Sequence, residues 1–286
     1  MKSKMKIKVS RKIIMAIIAT LIAAVITGVL LFPVYWIITS SIKPYASLYT
    51  TRFELIPRQI TFDAYNWVFF KSNFFLRLRN SLTVSILTTI FTLILVVPAA
   101  YAFSRFKFFG KDKLLYGYLA FTQFAGGLGI TGLIALYAIL AYLDLLNSLV
   151  VLAIIYAAGG VPFNTWLLKT YFDTIPKDFD EAALVDGASY LDVMWRILLP
   201  ISKPGIATVA VFSFMGGWTE FIVAQTILNP ENYTLPVELY RLMGQYETPW
   251  NQFAAMALLF AVPVVVMYMV AQKYLQAGLA MGGVKG

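Results

Sequence analysis

The chain contains no cysteine and no histidine. The first absence excludes disulfide staples, thiolate nucleophiles and thiolate metal sites. The second removes the commonest metal ligand and the usual general base near neutral pH. Charge is scarce as well: Asp, Glu, Lys and Arg make up 13% of 286 residues, against roughly 25% in a soluble domain. A chain that is 60% hydrophobic cannot cover itself with polar surface, so the bilayer is its expected solvent. The net charge of +9 would suggest nucleic acid in a soluble protein. Here the basic residues lie between apolar runs, so they read as membrane orientation, and no nucleic-acid partner is expected. No nucleophile–base pair or metal-ligand cluster assembles, which argues against an enzyme.

Six apolar segments are each about long enough to cross a bilayer core of roughly 30 Å. They lie near Ile13–Ile38, Ser81–Phe103, Leu114–Leu140, Leu149–Leu168, Gly205–Leu228 and Phe253–Leu275. The predicted fold class is therefore an all-α membrane protein of six transmembrane helices. The basic start, residues 1–12, followed by an apolar run resembles a signal peptide. The run is too long for a typical signal core, however, and a small-residue cleavage site is weak. Glycine and proline interrupt two segments, at Gly126, Gly127, Gly129 and Gly132 and at Gly159, Gly160 and Pro162. Such loosening fits either a bend that lines a path or close packing through small residues.

Basic residues set orientation. With the N-terminus inside, segments 1–12, 104–113, 169–204 and 272–286 face the cytoplasm and hold sixteen of the twenty-three Lys and Arg. The 41–80 loop, on the outside, carries six of the other seven and blurs the rule. The expectation is a multi-pass protein of the cytoplasmic membrane with both termini inside, a transmembrane domain over 13–275 and a tail over 276–286.

A polar island interrupts the greasy chain at 169–204. Ile175-Pro176 precedes an acidic helix start at Asp178, Asp180 and Glu181, where the helix dipole favours anions. Asp186-Gly187 reads as its end, with glycine supplying a left-handed cap. Ser189 and Asp192 form a capping box for a second helix, which Pro200 stops. Ala182, Ala183, Leu184 and Val185 give the first helix a small-residue surface that a partner can approach closely. Leu191, Met194, Trp195, Leu198 and Leu199 recur at helical spacing on the second. A helix lying on the membrane surface would account for the second. It accounts less well for the acidic first, which anionic lipid would repel.

The run Glu181-Ala182-Ala183, Asp186-Gly187-Ala188, Ile197, Leu199-Pro200 and Pro204-Gly205 resembles the EAA signature of binding-protein-dependent ABC importer permeases. Pro162-Phe163, Trp166-Leu167-Leu168, Asp173-Thr174-Ile175-Pro176, Trp218, Glu220-Phe221, Thr234-Leu235-Pro236 and the tail Gly278-Leu279 through Gly286 are similar to the carbohydrate branch. The match is nearest the shorter, second permease subunit of the maltose type. The chain departs from the usual pattern at Ala135, where Pro is common, and at Thr219, where Asn is common. The resemblance implies a type I importer permease fold with a cytoplasmic coupling loop that docks on an ATPase subunit. Glu181, Ala182, Ala183, Asp186, Gly187, Ala188, Leu199 and Pro200 would make that contact, with Glu181 pairing to a basic group. Gly282, Gly283, Val284, Lys285 and Gly286 would reach the ATPase subunits, or simply form a loose end.

The partners implied are a second permease subunit, two ATPase subunits, an extracytoplasmic sugar-binding protein and membrane lipid. No cofactor is expected on this chain. Gly110-Lys111 lacks the rest of a phosphate-binding loop, so ATP and Mg belong to the partner ATPase. The same architecture could import a non-sugar solute; an ion-coupled carrier would show paired intramembrane charges and internal repeats. Trp218 and Glu220 are the candidates for the substrate path. As the acidic residue well inside a predicted span, Glu220 either meets sugar hydroxyls or holds its helix to a neighbour. The 22 Phe, 17 Tyr and 6 Trp read mainly as lipid-facing and interfacial anchors. The loop from Asn229 to Gln252 is long for a plain connection, and in the resembled family its equivalent can reach towards the binding protein.

Overall fold

The computed structural model describes residues 11–50, 54–124, 129–244 and 247–282, and every regular element among them is helical. In chain order these are α1 (Arg11–Ser41), α2 (Tyr45–Leu48), α3 (Asp63–Phe70), α4 (Phe74–Arg105), α5 (Lys111–Phe124), α6 (Ile130–Tyr142) and α7 (Leu149–Asp173). They continue as α8 (Asp178–Val185), α9 (Tyr190–Asp192), a π-helical turn (Val193–Leu198), α10 (Leu199–Ile201) and α11 (Lys203–Thr219). The last three are α12 (Ile222–Ile227), α13 (Leu235–Arg241) and α14 (Trp250–Gly282).

Among the described residues four helices are long and apolar enough to cross a bilayer: α1, α4, α7 and α14. They correspond to the first, second, fourth and sixth predicted segments. Pro33, Pro98, Pro162 and Pro263 lie inside them without ending them, as happens where neighbours re-satisfy the freed backbone groups. Gly159, Gly160 and Pro162 therefore do not break the fourth segment; Asn164 Nδ2 donates to the Gly160 carbonyl at 2.9 Å beside them. The third and fifth segments depart from the expectation of single helices. The third is divided into α5 and α6, with Gly126 and Gly127 outside the described residues and Gly129 at the α6 N-cap. The fifth stops at Thr219, because Glu220 turns extended (ψ 137°) before α12 begins. Among the described residues, counting the bent pair that joins Tyr190–Ile201 to Lys203–Thr219 as one span gives five long apolar crossings, and α6 is a shorter apolar helix in the third segment.

The chain divides into two compact units. One comprises residues 1–72 and 244–258. Within it, Lys43 is buried: its ammonium donates to the Glu54 carbonyl at 2.8 Å and sits 4.8 Å from the Trp36 ring centroid. Ser41 and Tyr65 share a hydroxyl hydrogen bond of 2.9 Å.

The other unit comprises residues 73–243 and 259–286 and is organised around α4, which packs against α7 and α11. Small residues permit the close crossing: a Cβ on Gly217 would lie 3.0 Å from the Ser85 Cα, and Thr88 Oγ1 donates to the Ala153 carbonyl. One apolar cluster gathers Val84, Leu140, Leu152, Ala153, Val223, Ala224, Ile227, Leu228 and Val237. A second joins Val96, Val97, Ala100, Tyr101, Leu168, Phe172, Ile175, Met194, Leu198 and Val209. It seats the polar island on the ends of α4 and α7.

Candidate coupling site

The polar island is two short helices joined by a tight bend. Helix α8 carries Asp178, Asp180 and Glu181 in its first turn, where unpaired backbone N–H groups attract anions. Its last residue is followed by Asp186 and then Gly187, whose φ of +87° only glycine adopts without strain. The Gly187 and Ala188 N–H groups return to the Leu184 and Ala183 carbonyls, which closes the helix end. The next helix opens with the expected capping box: Ser189 Oγ accepts from the Asp192 N–H, and Asp192 Oδ2 accepts from the Ser189 N–H, both at 3.2 Å. The Ser189 hydroxyl also donates to that carboxylate, and together these bonds hold its pKa below the usual value.

Beyond the cap the backbone widens into the π turn Val193–Leu198, a form of helix that recurs at functional sites. Val193, Met194 and Leu198 are buried against the chain's own core. Leu191 and Trp195, which share the predicted apolar stripe, face outward at 66% and 61% exposure. The stripe is thus split between an inner face and an outer one. Pro200 does not end the helix, which runs one residue further, to Ile201. The chain then bends by 84° at Ser202 and enters α11, with Pro204 in its first turn. Gly205 is needed there because a Cβ would lie 2.7 Å from the Tyr171 ring.

The small-residue surface of α8 is divided too. Ala183 is turned inward. Glu181, Ala182, Val185, Asp186 and Gly187 are exposed, and Phe179 beside them is half exposed. Ala188 and Leu199 are half-buried and Pro200 is exposed. The exposed set is an acidic and apolar strip over a single helix and its bend. Among the described residues no cluster of His, Cys, Asp or Glu could hold a metal.

What anchors α8 from behind was not read from the sequence. Asp180 is buried, and its carboxylate lies 2.5 Å from Nε of Arg105, the last residue of α4. The same guanidinium donates to the Phe172 carbonyl at 3.1 Å and to the Ile175 carbonyl at 3.2 Å. Next to it, Ser104 Oγ donates to Asp173 at 2.7 Å, and Lys169 pairs with the other oxygen of that carboxylate at 2.7 Å. The sequence signal was a basic residue closing one span and an acidic first turn elsewhere, with nothing to say that they meet.

Trp218 and Glu220 sit at the broken end of α11 and are held by the chain itself. Trp218 is fully buried, stacked between Phe214 and Phe260, and donates Nε1–H to the Phe260 carbonyl at 3.2 Å. Glu220 accepts the Tyr156 hydroxyl with one oxygen and the Val223 N–H, at 3.0 Å, with the other. It therefore caps the start of α12.

The loop after α12 contains a helix that the sequence did not reveal. Arg77 pairs with Glu238 of α13 at 3.2 Å and donates to the Glu231 carbonyl, Asn80 donates to the Tyr233 carbonyl, and Ser81 Oγ accepts the Leu235 N–H at 2.7 Å. Asn147, with a left-handed φ of +59°, ties the α6–α7 turn to Asn229, Glu231 and Asn232. At the C-terminus, Gly282 ends α14, and Gly283, Val284, Lys285 and Gly286 lie outside the described residues.

Known proteins resemble this chain in sequence and in overall fold. A family model described as "Binding-protein-dependent transport system inner membrane component" matches residues 64–280. The galactooligosaccharides transport system permease protein GanQ of Bacillus subtilis is 38% identical, over 90% of this chain and 91% of that protein. The maltose/maltodextrin permease MalG of Photorhabdus laumondii is 35% identical, over 90% and 92%. A crystal structure of a bacterial ABC transporter involved in alginate import superposes with a TM-score of 0.77 at 26% identity, covering 93% of this chain and 98% of the other. The chain therefore belongs to the family of inner-membrane components of binding-protein-dependent transport systems, as a permease subunit and not an enzyme.

Proposed function

We propose that this permease subunit serves an ATP-driven importer of oligosaccharides, and that residues 169–204 form the cytoplasmic loop on which an ATPase subunit docks. The observation that carries the docking role is the two-sided construction of α8. Asp180 and Ala183 bind it to the chain's own core, while Glu181, Ala182, Val185 and Gly187 stand free. A helix with a fixed back and an acidic, apolar front suits a cleft with basic residues around an apolar floor. ATP and Mg are held by the partner ATPase pair, a second permease subunit completes the path, and an extracytoplasmic binding protein delivers the cargo. The N-terminus and the tail from Gly282 face the cytoplasm with the loop.

Oligosaccharide cargo is supported by relatives whose names specify galactooligosaccharides, maltodextrin and diacetylchitobiose. Within this chain the substrate role of Trp218 and Glu220 has less support, since both are occupied by internal contacts. The decisive experiment is co-expression with the neighbouring transport subunits, followed by purification. A stable complex with an ATPase and a second permease is expected. The cognate binding protein should show a thermal shift with galacto-oligosaccharides or maltodextrins. Isolation as a lone protein, or a shift only with amino acids or ions, would refute the assignment.

A further inference from the structure

The docking reading of α8 explains its front; its back raises a separate question. A force applied to a short surface helix is lost unless something stiff joins that helix to the spanning ones. Apolar packing supplies that joint for the second island helix, through Met194 and Leu198. Helix α8 is different, because its inward side presents a buried carboxylate.

The partner of that carboxylate is Arg105, whose side chain is only 5% exposed. One guanidinium touches three pieces of the chain: Asp180 of α8, the Phe172 carbonyl at the end of α7, and the Ile175 carbonyl in the link to α8. Its own backbone ends α4. The Phe172 carbonyl is one of the last four of its helix, where carbonyls lack full helical partners. Among the described residues Asp180 Oδ1 has no hydrogen-bond partner, so the guanidinium is what offsets the buried charge. A lysine could not do the same: an ammonium is a point charge without the planar fork that spans separate acceptors. The α4–α7 contact does not depend on this junction, since the two helices pack along their length and Ser104 of α4 donates to Asp173 of α7 separately.

We propose that Arg105 is a positioning residue for energy coupling: it locks α8 to α4 and α7 so that motion of the docked ATPase reaches the spanning helices undiminished. The proposal rests on the docking reading above. Removing one member of a buried ion pair leaves the other uncompensated. The weakened element is α8 alone, and the apolar seat of Met194 and Leu198 keeps the rest of the island in place.

The test uses the assembled transporter in liposomes, with Asp180→Asn, which keeps shape and loses charge, and Arg105→Lys, which keeps charge and loses the fork. Complex yield, ATP hydrolysis and uptake of radiolabelled maltotriose or a galacto-oligosaccharide are measured together. Both variants are expected to assemble at wild-type yield and to hydrolyse ATP. Sugar moved per ATP should fall about tenfold in Asp180→Asn and less in Arg105→Lys. An unchanged ratio would overturn the proposal. So would failure of both variants to accumulate in the membrane, which would make the pair a folding contact. Glu181→Lys is run alongside. If it couples normally, the docking reading itself fails; if it uncouples while the two variants do not, only the role of Arg105 fails.

Discussion

Glu181 stands on the outer side of α8, one residue after the buried Asp180. Adjacent carboxylates thus have opposite surroundings, because consecutive helical residues point about 100° apart. Reversing the outer charge leaves the fold intact, so Glu181→Lys should reach the membrane in normal amount. Uptake should be lost while the ATPase subunits still hydrolyse ATP, which a paired transport and phosphate-release assay would show. Gly187 carries a different constraint. Proline cannot adopt its φ of +87°, so Gly187→Pro should deform the bend and weaken retention of the ATPase subunit on a sizing column. At Glu220 the capping geometry favours a structural role. Glu220→Ala should remove a helix cap worth about 0.5–2 kcal/mol and lower the melting temperature in detergent. An unchanged melting temperature with weakened sugar uptake would instead point to contact with the cargo.

At the scale of elements, the legible features are those with local signals. The acidic start of α8, the left-handed Gly187 and the Ser189–Asp192 box all follow from residues within four positions of one another. The spans α1, α4, α7 and α14 were visible because apolar length needs no knowledge of neighbours. Helix α13 was hidden for the opposite reason. Its seven residues are too few for a clear period, and its partners Arg77, Asn80 and Ser81 lie more than 150 residues earlier. The inward turn of Ala183 and Asp180 was equally unreadable, since it depends on Arg105 in another helix. The break at Glu220 left only its charge as a trace. The hidden element carries its own prediction. Arg77→Ala would leave the Glu231 carbonyl and part of the Glu238 carboxylate unpaired, at a cost of about 1–3 kcal/mol. Hydrogen exchange across 229–243 should then quicken while α7 keeps its protection; equal protection in both proteins would contradict the anchoring.

For the whole molecule, most of the apolar surface on the spanning helices is not covered by the chain. No residue in the apolar window of α1 is buried, and only a third of the α4 and α7 windows are. Lipid and neighbouring subunits must supply the missing contacts, as membership of a multi-subunit transport system requires. The 84° bend at Ser202 bears on how such an assembly moves. Under the proposed docking it would work as a crank: a thrust along the second island helix would arrive at the foot of α11 almost broadside. A rod struck that way tips about its middle instead of sliding along its axis. Spin-label distances at the two ends of α11 should then shift in opposite senses between nucleotide-free and nucleotide-bound transporter, whereas a piston would carry both ends the same way.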